Sequence, residues 1–87
     1  MKIKAKLLQV LTERWQIVVK YYSDDVPENV VDQRGLKTTL TLTVPRDIGS
    51  LAELRDLVFA NAPRELLGQY QNIEMLKQYI GQEFVEP

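Results

Sequence analysis

The segment Lys37-Thr38-Thr39-Leu40-Thr41-Leu42-Thr43-Val44 decides the fold class. Leu40, Leu42 and Val44 face one way along an extended chain and Thr39, Thr41 and Thr43 the other, which is the two-residue period of a half-buried strand. Threonine packs well on a pleated surface and keeps a hydroxyl for hydrogen bonding, so the polar face suits solvent or a second β-surface. Pro45 has no N–H to give a ladder and marks the end. A lone strand leaves its backbone groups unpaired, so this one demands partners elsewhere in the chain.

Two earlier segments can supply them. From Lys2 to Leu7, Ile3, Ala5 and Leu7 alternate with Lys2, Lys4 and Lys6; from Arg14 to Tyr22, Trp15, Ile17, Val19 and Tyr21 share one phase. A helical reading competes, because Ile3, Leu7, Leu11, Trp15, Val18 and Tyr22 also recur at spacings of three or four. The run from Ile17 to Tyr22 is poor helix material, and with the partner demand of 37–44 it favours strands. Thr12-Glu13-Arg14 is then the hairpin turn, although it lacks the Gly or Asn of tight turns. Adjacent Tyr21 and Tyr22 must point to opposite faces, which leaves one accessible unless both faces are covered. The polar stretch Ser23 to Gly35 is too long for a hairpin loop and is the expected flexible element, with Val26, Val30 and Val31 either pinning it down or meeting a partner.

Ser50-Leu51-Ala52-Glu53 has the form of a capping box and predicts a helix start, with Leu51, Leu54, Leu57, Val58 and Ala62 as its buried stripe. Pro63 breaks the segment. Arg64 to Gly81 carries Leu66, Leu67, Tyr70, Ile73, Leu76 and Ile80 at helical spacing, as one helix or two short ones, with Gly68 and Gln71-Asn72 as weak points. Gly81 is a natural stop, and 82–87 reads as a loose tail with one apolar pair, Phe84 and Val85. The expected architecture is a single α+β domain: a small antiparallel sheet of about three strands within 1–45, with two or three helices from 50–81 packed on one face.

Composition narrows the function. Eighty-seven residues leave room for one core, and 45% hydrophobic with 26% charged residues is ordinary for a globular domain. The chain has no Cys and no His, which removes disulfides, thiolate nucleophiles, imidazole bases and conventional zinc sites. Asp24, Asp25, Glu28 and Asp32 put several oxygens in one loop, but not in the order of a calcium hand. Gly35, Gly49, Gly68 and Gly81 are too scattered for a phosphate loop. Glu53 and Asp56 have the spacing of any wet helix face. No enzyme activity, cofactor, metal or small-molecule substrate is expected. The apolar residues after the N-terminal lysines are interrupted by Gln9 and followed by no small-residue cleavage site, and no apolar run approaches the roughly 20 residues of a membrane span, so a cytoplasmic protein without a membrane partner is expected.

Charge is uneven along the chain: residues 1–44 carry seven bases and five acids, residues 45–87 four bases and seven acids. The row Lys2, Lys4, Lys6, with Arg14 and Lys20 nearby, is the best polyanion candidate. Edge-strand lysines also guard against unwanted pairing, and with a net charge of −1 and few aromatics on that face, nucleic acid is not an expected partner. A small core gains from further burial, which points to protein contacts through the exposed sheet face, at Tyr22, Thr39, Thr41 and Thr43, with Val30 and Val31 of the loop.

The opening Met1-Lys-Ile-Lys-Ala-Lys6, the Thr-rich strand ending in Val44-Pro45, and then Ser50-Leu-Ala-Glu-Leu54 and Asn61-Ala62-Pro63 together resemble the short proteins encoded among structural genes of tailed bacteriophages and prophages. The resemblance covers most of the chain in size, element order and texture, without a diagnostic motif, so no functional residues carry over. It implies a virion-assembly or accessory component that acts through protein contacts. Self-association is expected on a separate ground, because so small a core gains from burying a sheet face or edge against another copy. A regulatory module that binds a cellular protein through the 23–35 loop or the helices is the alternative.

Overall fold

Three strands pair in chain order in a computed structural model that describes residues 1–27, 29–30 and 35–87. β1 (Ile3–Leu11) runs antiparallel to β2 (Gln16–Ser23), which runs antiparallel to β3 (Lys37–Thr43). The core face follows from the alternation: Ile17, Val19, Tyr21 and Ser23 of β2 are buried, with Ile3, Ala5 and Leu7 opposite on one side and Thr38, Leu40 and Leu42 on the other.

β1 runs beyond the expected Leu7 because of a bulge. Leu7 pairs with Val19 but Gln9 with Val18, which leaves Leu8 as the extra residue. The bulge switches the phase, so that Val10 joins the core side opposite Ile17. The hairpin closes through a 3-10 turn at Thr12–Arg14 and Trp15 in the left-handed region at φ 52°. Trp15 therefore does not begin the second strand, as alternation had suggested. It supplies the positive φ that the turn lacks a Gly or Asn to provide, and remains 40% exposed.

α1 (Leu51–Ala60) starts as expected: Ser50 Oγ accepts from the Glu53 N–H at 3.2 Å, and the Glu53 carboxylate accepts from the Gly49 N–H at 3.4 Å. Leu54, Leu57, Val58 and Ala62 pack on the core, as does Phe59, which the stripe had not included. Leu51 is a correction: it borders an open cleft with Val44 and Ile48 in the first turn and stays 70% exposed. The other end of α1 is anchored through its last carbonyls, which have no intrahelical donors. Leu57 accepts from the Asn61 amide at 2.8 Å, Phe59 from the Ala62 N–H at 3.3 Å, and Val58 from the Tyr21 hydroxyl at 2.6 Å. Tyr21 is fully buried, so one side chain fills the core and ties helix to sheet.

Beyond Pro63 a 3-10 turn, Arg64–Leu66, buries Leu66 in the core. Gly68, at φ 78°, then turns the chain into α2 (Gln69–Met75), followed by a 3-10 turn at Leu76–Tyr79 and the expected stop at Gly81, φ 88°. The apolar stripe expected over 64–81 is thus cut at Gly68. Leu66 and Leu67 remain with the core, whereas Ile73, Leu76 and Ile80 are exposed. The architecture is α+β, a three-strand antiparallel sheet followed by two helices. It is elongated: the radius of gyration is 17.4 Å over extents of 58 × 29 × 22 Å. A compact chain of this length would have about 12 Å.

Candidate functional site

The outer face of the sheet follows from the pairing. Lys4, Tyr22 and Lys37 form one row across the three strands, and Lys6, Lys20 and Thr39 the next. Thr41 follows opposite Val18 and Thr43 opposite Gln16. Lys4, Lys6, Lys20 and Lys37 surround Tyr22 in a cleft of about 170 Å³, walled on one side by Val26 and Pro27 of the loop after β2. Lys2 and Arg14, the outlying members of the expected basic row, do not line it.

Like charges directly across a strand pair repel, and Lys6 faces Lys20. Among the described residues no carboxylate pairs with any of the four lysines; the one ion pair there joins Lys77 and Glu74 at 2.8 Å. The Lys37 ammonium donates to the Val30 carbonyl at 3.3 Å, which ties the loop to the rim of the cleft. The strands thus hold a cluster of positive charge that nothing described within the fold compensates.

The expected contact residues sort around this cluster. Tyr22 is half-buried in the middle of the first row, Thr39 is exposed at the end of the second, and Thr41 and Thr43 continue the exposed face away from it. Val30 is half-buried in the loop, and Val31 lies outside the described residues. Of the acidic loop, Asp24 accepts from the Lys2 N–H at 3.0 Å and Asp25 from the Gln71 N–H at 3.4 Å, so both have structural partners. Glu28 and Asp32 lie outside the described residues. No group of three or more carboxylates is placed to hold a metal among the described residues. No described helix is long and apolar enough to cross a membrane.

Two apolar features lie elsewhere. Val10, Leu11, Trp15, Ile17 and Val44 line an open cleft of about 250 Å³ at the hairpin end, where the Arg46 guanidinium stacks 5.3 Å from the Trp15 ring centre. The second is the C-terminal arm, in which every residue from Met75 to Pro87 is exposed. Ile80 is 82% exposed, Phe84 78% and Val85 88%, with Leu76 and Tyr79 also open. Leu76 and Ile80, two of the residues expected at helical spacing over 64–81, lie on this exposed arm. Gly68, one of the expected weak points, takes a positive φ of 78° and divides the segment, the second of the two expected alternatives.

Comparison with protein-family models, with curated proteins and with solved structures finds no match to this chain.

Proposed function

We propose that this chain is a non-enzymatic assembly protein that works in the cytoplasm through protein–protein contacts, the role implied by its resemblance to short proteins of tailed-phage structural gene clusters. The exposed apolar arm carries the reading. A monomer gains nothing from holding Leu76, Ile80, Phe84 and Val85 in water. Burying four such side chains against a partner releases roughly 6–12 kcal/mol. That is of the order of the 4–15 kcal/mol that association costs. The arm therefore drives a contact of moderate strength, and its selectivity must come from polar groups elsewhere.

A photo-crosslinking residue at Tyr79 or Phe84, compared with one at exposed Asp56 of α1, tests this in the cells that make the protein. A discrete protein adduct from the arm positions, absent from Asp56, is expected. Adducts from none of the three, or equally from all, would defeat the proposal.

A further inference from the structure

Resting on that reading, we infer that the lysine cleft around Tyr22 is the receptor for the acidic end of the arm, Glu83-Phe84-Val85-Glu86, of a second copy of this chain. Charge is the first reason. Lys4, Lys6, Lys20 and Lys37 converge on one concavity without a described counter-charge, and two of them repel across a strand pair. A fold that keeps such a local conflict gains from an anionic partner that relieves it. The arm has the opposite character, with exposed Glu83 and Glu86 on either side of two unpartnered apolar residues.

Spacing is the second reason. In an extended segment Phe84 and Glu86 point to the same side, about 7 Å apart. Tyr22 and Lys20 stand on the same face of β2 with the same two-residue spacing. A segment laid along β2 sets Phe84 on the Tyr22 ring while Glu86 enters between Lys6 and Lys20. The cleft is of a size for one ring and one carboxylate and is walled by the apolar side of Val26 and Pro27. Phosphate-bearing ligands would satisfy the lysines but leave this aromatic position unused, so an acidic segment with an apolar residue fits the whole site.

Reciprocal exchange of arms closes a dimer, and one-way exchange builds a ring or filament. Sedimentation velocity of the full chain over micromolar to millimolar concentrations tests the contact, with circular dichroism as the check on folding. The wild type is expected to associate, and to do so at least tenfold more weakly when salt is raised from about 50 to 500 mM. The charge-reversed cleft, K6E with K20E, and the charge-reversed arm, E83K with E86K, are each expected to lose self-association by tenfold or more. A chain carrying all four changes, or a mixture of the two double variants, should associate again. The cleft variant exchanges one like-charged facing pair for another on the outer face and leaves the core residues unchanged, so its fold should be kept, and the arm variant tests the same contact without touching the sheet.

A strict monomer, association indifferent to salt, or no rescue by the fourfold variant would each overturn the inference. So would tripolyphosphate binding that depends on Lys6 and Lys20 in a chain that does not self-associate. A crosslink from Phe84 to a different protein only, in the experiment above, would sink this contact while leaving the association reading in place.

Discussion

Replacing Tyr21 by Phe removes one oxygen from the centre of the molecule and nothing else. The ring stays, so the packing against Ile17, Val19 and Leu42 within the core is kept. What goes is the 2.6 Å bond to the Val58 carbonyl, in the last turn of α1. A neutral hydrogen bond contributes about 0.5–1.5 kcal/mol, and a carbonyl left without a donor in a buried position costs about 1–3 kcal/mol. Because water reaches the partly exposed end of α1, the lower part of the combined range applies, about 1–2 kcal/mol. For a domain of this size that lowers the melting temperature by roughly 5–15 °C. Urea unfolding followed by circular dichroism gives the number directly. The same hydroxyl carries a pH signature, since burial raises the Tyr21 pKa above its ordinary value near 10. With the folded value above the unfolded one, the contribution is complete below about pH 10 and is lost as pH rises through the folded value. The wild type should therefore destabilise more steeply than Tyr21→Phe above pH 10, with parallel curves below it. A variant within about 0.3 kcal/mol of wild type, or curves that stay parallel to pH 11, would show that the helix is held by apolar packing alone.

Ser50→Ala removes the acceptor for the Glu53 N–H and should cost about 1 kcal/mol in the same urea titration; no change would mean that the first turn of α1 is already frayed. Ser23 is fully buried with no partner for its hydroxyl among the described residues, so Ser23→Ala should lie within about 1 kcal/mol of wild type and on the stabilising side, and a larger loss would reveal a bonded hydroxyl. Single-stranded RNA and duplex DNA should bind more weakly than micromolar at about 150 mM salt, with a log–log salt slope no steeper than about −4, because four lysines neutralise few phosphates. Tighter binding lost on Lys4 and Lys6 replacement would reverse the choice of ligand for the cleft.

The sheet was legible because its signals are local. Alternation in 37–44 and 16–22 assigns each side chain a face without knowledge of the rest of the chain, and the Ser50–Glu53 cap is written in four consecutive residues. The lysine cleft was only half legible. Lys4, Lys6 and Lys20 were visible as a row with neighbours, but their convergence depends on register. Carrying the pairing of Leu11 with Gln16 straight back along the hairpin sets Lys6 against buried Tyr21 and turns the lysines inward. The bulge at Leu8 corrects the phase, and bulges leave a weak mark in sequence, here no more than Leu7-Leu8 breaking an alternation. Lys37 joins from across the long loop, a separation that periodicity does not bridge. In 64–81 the break at Gly68 was legible as one of two alternatives, whereas the exposure of Ile73, Leu76 and Ile80 was not, because helical spacing continues across Gly68 while the backbone does not.

The exposed arm and the lysine cleft belong to one energetic problem. α2 has seven residues, no side-chain cap at its start, and no buried residue. Isolated helices in water become marginal below roughly 12–15 residues, because the cost of nucleation is spread over too few bonds. α2 is rooted to the body at its start, where the Gln71 N–H meets Asp25 and Gly68 lies beside Met1, whereas its far end has no such support among the described residues. Its end toward Met75 is therefore the part that covering Ile73, Leu76 and Ile80 would stabilise most. A second copy that seats the acidic tail would also shield the helix before it, so that docking and ordering of the arm would reinforce one another. Such coupling would make the inferred contact sensitive to charge well beyond the energy of any one exposed ion pair. On the inferred contact, reversing the two glutamates should remove the anchor at the tip and, with it, the burial a second copy would give to Leu76 and Ile80.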